Sequence, residues 1–158
     1  AVEILRQTGA HIEYRQVTAV DNQGRTAIFS GGNVLGVAGE SIGDGCVAAG
    51  NLLASSDVPA AMTKAFEATS GHIGDRLLAA MEAARDAGGE AGPVHSIGMK
   101  IVREVPWPVA DLRIDWTEND PIEELRTAWE VYKPQLDAYV TRALDPTDAP
   151  SYGVPGDE

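Results

Sequence analysis

The sequence predicts an α+β fold of antiparallel hairpins around a pair of helices. Three observations carry this. Short apolar runs of four to seven residues are separated by Gly, Asn and Asp clusters, which is hairpin chemistry. Two segments in the middle carry apolar residues at helical spacing and end at glycines. A third long helical stripe follows the last pair of strands. The expected order is two hairpins, a helix pair, a hairpin and a helix.

Residues 1–8 read as a helix stopped by Gly9, with Val2, Leu5 and Ile4 on its apolar side. No capping residue precedes it, so a further N-terminal segment or a second subunit is expected to complete the domain. Tyr14 to Val20 and Arg25 to Ser30 read as paired strands, joined by Asp21-Asn22-Gln23-Gly24. Val17, Ala19, Ile28 and Phe29 place apolar groups on both faces, which predicts a sheet covered on both sides. Strands near 34–41 and 45–50 follow, split by Gly43-Asp44-Gly45. The first central helix starts near Ser56-Asp57, with Pro59 in its first turn and a stripe of Val58, Met62, Ala65 and Phe66. The second presents Ile73, Leu77, Ala80, Met81 and Ala84 and stops at Gly88-Gly89.

His95 to Arg103 and Ala110 to Trp116 read as the last strands, linked by Pro106-Trp107-Pro108. Asp111, Arg113 and Asp115 fall on one face and Leu112, Ile114 and Trp116 on the other. Asp120-Pro121-Ile122-Glu123 is a helix start, with Asp as cap and Pro at the first position. The stripe Ile122, Leu125, Trp129, Tyr132, Leu136, Tyr139 and Ala143 continues through Pro134, which predicts a kink. The expected organisation is one domain over 1–144 and an extended tail over 145–158.

Composition narrows the function. A net charge of −12 argues against a nucleic-acid partner and against anionic membrane surfaces. No apolar run approaches the ~20 residues of a membrane span. One cysteine, Cys46, excludes an internal disulfide and fits a reducing, cytoplasmic setting. It reads as a small buried apolar residue. No His, Cys, Asp or Glu spacing resembles a metal site, and Gly31-Gly32 and Gly43-Asp44-Gly45 lack the Lys-Ser/Thr of a phosphate loop. No cofactor is expected. The long apolar stripe of the last helix predicts a homo-oligomer.

Several segments together resemble the bacterial and archaeal family called domain of unknown function 1028. They are Glu13-Tyr14-Arg15-Gln16-Val17, Val20-Asp21 with Gly24-Arg25, Gly50-Asn51-Leu52-Leu53-Ala54, Met62 and Ala65-Phe66-Glu67-Ala68-Thr69. Arg76-Leu77-Leu78-Ala79-Ala80, Ala87-Gly88-Gly89-Glu90 and Asp111-Leu112-Arg113-Ile114-Asp115 complete the set. The resemblance covers roughly residues 1–132. It implies a fold like the N-terminal nucleophile (Ntn) hydrolases, an αββα four-layer sandwich in which strands and a helix precede the position of Ala1. It brings no assigned activity.

The order strand, glycine turn, helix pair, glycine loop, strand also resembles proteasome-like hydrolases, in which the turn and the loop approach an N-terminal nucleophile. That chemistry needs Thr, Ser or Cys at a free N-terminus, and the first residue here is Ala1. The resemblance therefore makes this chain the non-nucleophile portion of an amide-bond hydrolase for a small acyl-amide or peptide-like substrate. The alternative is a non-catalytic binding or assembly protein on the same scaffold.

The candidate site lies where Asn51 meets the loop from 88 to 96. Gly50 and Asn51 offer a backbone N–H and a carboxamide to an oxyanion. The competing reading is a strand-to-helix turn with Asn51 in the left-handed region. Glu90, His95 and Ser96 are candidates to orient an amine or a leaving group, against a plain surface role. Arg113 is a candidate clamp for a substrate carboxylate, against a polar stripe on a strand.

Overall fold

The computed structural model describes residues 1–151. The chain is an α+β protein that divides into two compact units, Ala1–Val94 and the remainder from His95.

The first unit opens with helix α1 (Val2–Thr8), followed by a hairpin of β1 (Gln16–Val20) and β2 (Thr26–Ser30) and a second of β3 (Gly39–Gly43) and β4 (Cys46–Gly50). Helices α2 (Val58–Ala68) and α3 (Ile73–Asp86) complete it. Both sheets are two-stranded and antiparallel, in registers that pair Thr18 with Ile28 and Ser41 with Ala48. The turn after β1 is held by Asp21, whose carboxylate accepts from the backbone of Gln23 and Arg25 and from the Arg25 guanidinium. That guanidinium, with the two backbone donors, holds the Asp21 carboxyl below its ordinary range.

Helix α2 packs against α3 and against the β3–β4 hairpin. Leu53, Val58 and Ala84 form one buried cluster, with Met62 and Ala87 against it. Arg76 ties the two helices together. Its guanidinium lies 3.9 Å above the Phe66 ring and its Nε donates to the Phe66 carbonyl. The buried Thr63 hydroxyl is satisfied by Ser41 Oγ at 2.7 Å. At the end of α3, Gly88 N donates to Arg85 O and Gly89 N to Ala84 O, which closes the helix as Gly88-Gly89 predicts.

The second unit contains β5 (Ile97–Val102), β6 (Pro108–Ile114), α4 (Pro121–Tyr132) and α5 (Leu136–Leu144). Strands β5 and β6 form an antiparallel hairpin covered by α4. Met99, Ile101, Val109, Ala110, Ile122, Leu125, Trp129 and Leu136 are its core. The register shifts beside Val102, which pairs with Pro108 while Ile101 pairs with Ala110. Proline has no N–H for the ladder, so an irregularity at the strand start is expected. Both Val109 and Ala110 turn inward there, and the Val109 carbonyl accepts from Tyr132 Oη at 2.7 Å.

Several sequence expectations change in detail. Tyr14 ends a 3₁₀ turn (Ile12–Tyr14), so β1 starts two residues later than expected. Residues 34–38 are irregular, and β3 begins only at Gly39. The β1–β2 hairpin holds no fully buried residue, so apolar groups on both faces do not mean full cover on both sides. In α1 only Val2 is buried, and Ile4 and Leu5 are exposed. In α3 the inward face is Gly74, Leu78, Ala80 and Ala84, while Ile73 is exposed. His72 Nδ1 accepts from Gly74 N at 3.1 Å and caps the start of the helix.

The C-terminal stripe survives Pro134 through a 3₁₀ turn (Lys133–Gln135). Three residues per turn shift its phase. Leu136 remains buried, but Tyr139 and Ala143 come out to solvent. The tail is described only as far as Ser151, with a turn in which Asp145 accepts from Thr147. The rest of the expected tail, 152–158, lies outside the described residues. Among the described residues no helix is long and apolar enough to cross a membrane.

Candidate functional site

The turn that leaves β4 carries one of the two left-handed non-glycine residues among the described residues, the other being His11 at φ 56°. Leu52 has φ 54°, a left-handed conformation that side chains with a Cβ rarely adopt. The expected left-handed residue was Asn51, and the structure moves it one position on. Four backbone hydrogen bonds fix the strained residue and its neighbours. Leu52 N donates to Leu35 O at 3.1 Å and Leu53 N to Val37 O at 3.0 Å. On the other side Ala54 N donates to Gly89 O at 2.9 Å and Ala91 N to Leu52 O at 2.8 Å. Leu53 and Glu90 form an antiparallel bridge. Residues 52–54 are therefore held by backbone hydrogen bonds between the irregular segment 35–37 and the loop 89–91.

Glycines make the approach possible. A Cβ on Gly36 would stand 2.9 Å from Leu52 Cδ2 and 3.0 Å from its Cα, and Gly36 itself has φ 70°. A Cβ on Gly50 would meet Leu53 Cδ2 at 2.9 Å.

Asn51 lies inside this frame. Its Nδ2 donates to Leu35 O at 3.2 Å, the same oxygen that accepts from Leu52 N. A carboxamide nitrogen carries two hydrogens, so one bond to Leu35 orients the group and leaves a second donor. Glu90 is exposed on the facing loop. Gly50 and Asn51 thus directly precede the segment, 52–54, that is bonded to the loop carrying Glu90.

His95 and Ser96 belong to the second unit. His95 Nδ1 lies 2.8 Å from Thr117 O, and its ring stacks on Trp116 at 4.1 Å between centroids. A carbonyl only accepts, so Nδ1 carries the proton and Nε2 is the basic atom of the neutral ring. Glu118 Oε2 stands 4.0 Å from Nδ1 and Glu118 Oε1 accepts from Trp116 Nε1, which holds the stacked pair from outside.

On the exposed face of β5–β6, Arg113 Nε donates to Asp115 Oδ1 at 3.1 Å, and Nη2 donates to the same oxygen. The Asp115 carboxylate raises the pKa of the Arg113 guanidinium. Lys100 Nζ pairs with Asp111 at 3.0 Å across the strands. Ser96, Gly98, Lys100, Asp111, Arg113 and Asp115 line a groove of about 430 Å³. Among the described residues no group of three His, Cys, Asp or Glu is placed to hold a metal ion. Cys46, half-buried in β4, has its thiol pKa pushed up by burial and by the negative charge of Glu67.

Sequence reading missed the 35–37 loop and the strain at Leu52. Gly36 and Gly39 inside an apparent strand were the available signal, since glycine in a strand pattern marks a bulge or a close backbone approach.

The fold and site together define an α+β protein of three antiparallel hairpins, with a glycine-framed turn stitched to a second glycine loop. The model of a family of unknown function, DUF1028, matches residues 1–125, and the chain belongs to that family. Its structure is similar to the crystal structure of a DUF1028 protein from Silicibacter pomeroyi, with a TM-score of 0.72 and 32% sequence identity. The match covers 83% of this chain and 55% of that one, so the chain spans little more than half the length of its solved relative. No curated protein matches it.

Proposed function

We propose that the chain is the non-nucleophile portion of an Ntn-type hydrolase with an αββα sandwich, cleaving an amide bond in a small acyl-amide or peptide-like substrate. One observation carries this reading. The turn at 52–54 and the loop at 89–91 are joined by backbone hydrogen bonds, with Asn51 and Glu90 at the junction. A strained non-glycine residue that its surroundings over-determine is found most often at active sites and ligand clamps. Leu52, bonded on both sides through its backbone, is such a residue.

In this reading the Asn51 carboxamide, oriented through Leu35 O, donates its second N–H to the oxyanion of the tetrahedral intermediate. Gly50 keeps the approach to the turn open. Glu90 orients the attacking amine. The nucleophile is supplied by a residue outside this set. A further N-terminal segment or a second subunit brings it, within a cytoplasmic homo-oligomer.

The test is Asn51→Ala in the natural full-length protein, with hydrolysis of acyl-amide substrates and melting temperature measured together. Loss of one oxyanion donor typically lowers turnover by ~10²–10³. The expected result is a drop of at least about tenfold per folded molecule, with the protein still folded. Undiminished turnover in a folded variant removes Asn51 from the chemistry. Lost stability with unchanged turnover per folded molecule assigns Asn51 to holding the turn alone.

A further inference from the structure

The groove on the exposed face of β5–β6 is built around a glycine that the backbone does not require. Gly39 in β3 is forced by contact, since a Cβ there would stand 2.6 Å from the backbone oxygen of Ser56. Gly98 differs. Its φ is outside the left-handed region, and an added Cβ would meet only Arg113 Cγ and Leu112 O, both at 3.6 Å, an ordinary contact. Glycine within a strand weakens it, and often marks a bulge, a tight bend or a place where a ligand or another backbone comes close; the register shift of this hairpin lies at Ile101–Val102, away from Gly98.

The consequence of Gly98 is local and chemical. Gly98 is the cross-strand partner of Arg113, so no side chain stands opposite the guanidinium. Arg113 turns along its own strand to Asp115 instead. The neighbouring pair, Lys100 and Asp111, spans the strands in the ordinary way. The open position is part of the groove of about 430 Å³, a volume within the range of small-molecule sites. Both ion pairs are largely exposed, with Arg113 and Asp115 at 66% and 76%. Exposed pairs contribute little stability, so a ligand can exchange for either partner at small cost.

From this we infer that the β5–β6 groove is a binding site for a small zwitterion, a free amino acid or a short peptide, held over Gly98. The ligand carboxylate takes the Arg113 fork that Asp115 now occupies, in the planar two-point geometry that guanidinium favours. The released Asp115, with Asp111, receives the ligand ammonium. The Ser96 hydroxyl is at hand for the polar atoms between them. The alternation of acid, base and acid along Asp111, Arg113 and Asp115 selects a ligand carrying both charges. A simple anion is disfavoured by the chain's net charge of −12. The inference concerns the second unit alone and stands whether or not the chain takes part in amide hydrolysis.

The experiment is an NMR titration of the chain with glycylglycine, using acetate and methylammonium as single-charge controls. The expected result is saturable movement of the Gly98, Lys100 and Arg113 amides, with a Kd on the order of 1 mM and binding of each control about tenfold weaker or worse. Gly98→Val fills the open position with a strand-favouring side chain and should abolish the response without lowering the melting temperature. Arg113→Ala should abolish it too, by a different route. Three results overturn the inference: no saturable movement at about 50 mM dipeptide, equal binding of acetate, or undiminished binding by folded Gly98→Val. Amide movements at the same residues that follow protein concentration alone would also overturn it, and would assign the groove to a second copy of the chain.

Discussion

Leu52 N donates to Leu35 O across 3.1 Å while Leu52 itself sits at φ 54°. The bond and the strain belong together, since an L side chain in the left-handed region costs roughly 1–2 kcal/mol and needs neighbours that hold it there. Leu52→Gly removes that cost and takes away a half-exposed side chain. The expected outcome in urea denaturation is unchanged or higher stability, by up to about 1 kcal/mol. Gly36→Ala is the opposite case. Its Cβ would press on Leu52, and its own φ of 70° suits glycine, so a loss above roughly 1 kcal/mol is expected.

Cys46 provides a pH-dependent readout in the same hairpin. Burial first, and then Glu67, favour the neutral thiol, so the native state holds this proton more tightly than the unfolded chain does. The contribution to stability is present below the unfolded thiol pKa and is lost as pH rises through the folded one. Alkylation by iodoacetamide at mildly alkaline pH should therefore be several-fold slower in the folded protein than in urea, because only the thiolate reacts. Glu67→Gln should narrow that ratio without abolishing it, since burial remains. Equal rates in both states would show that the thiol is freely solvated.

How far the sequence led depended on whether a signal was local. Helix α4 announced itself through Asp120-Pro121, and the observed cap is the predicted one. The end of α3 at Gly88-Gly89 and the turn at Asp21–Gly24 were equally legible, because capping and hairpin turns are short-range chemistry. A meeting of Asn51 with the loop at 88–96 was expected from the order of elements and its resemblance to proteasome-like hydrolases, and the observed backbone bonds join residues 52–54 to 89–91. What escaped was the rotation of helices and the conformation of the joints between elements. Leu78 rather than Leu77 is the fully buried residue of α3. Tyr139 emerges because a 3₁₀ turn shifts the phase of the stripe. Leu52 takes the left-handed conformation because loops on both sides of it, distant in sequence, bond to its backbone.

The start of α4 tests whether local capping governs the second unit. Asp120 Oδ1 accepts from Ile122 N at 2.8 Å and from Glu123 N at 3.4 Å, and Pro121 brings no N–H to be satisfied. Behind it, the buried Thr117 hydroxyl donates to Glu124 Oε1 at 2.7 Å and accepts from Asn119 N at 3.0 Å. Asn119 Nδ2 reaches the same Glu124 oxygen at 3.1 Å. A carboxylate in the first turn also meets the positive end of the helix dipole. Asp120→Ala should cost about 1 kcal/mol in urea denaturation. Asp120→Asn keeps the acceptor and loses only the charge, so roughly half of that or less is expected. Thr117→Val leaves Asn119 N and the Glu124 carboxylate short of a partner and should cost about 1–3 kcal/mol. Thr117→Ser restores the hydroxyl and should recover most of it. If Asp120→Ala and Thr117→Val both leave the midpoint unchanged, the packing of Leu125 and Trp129 alone fixes where α4 begins.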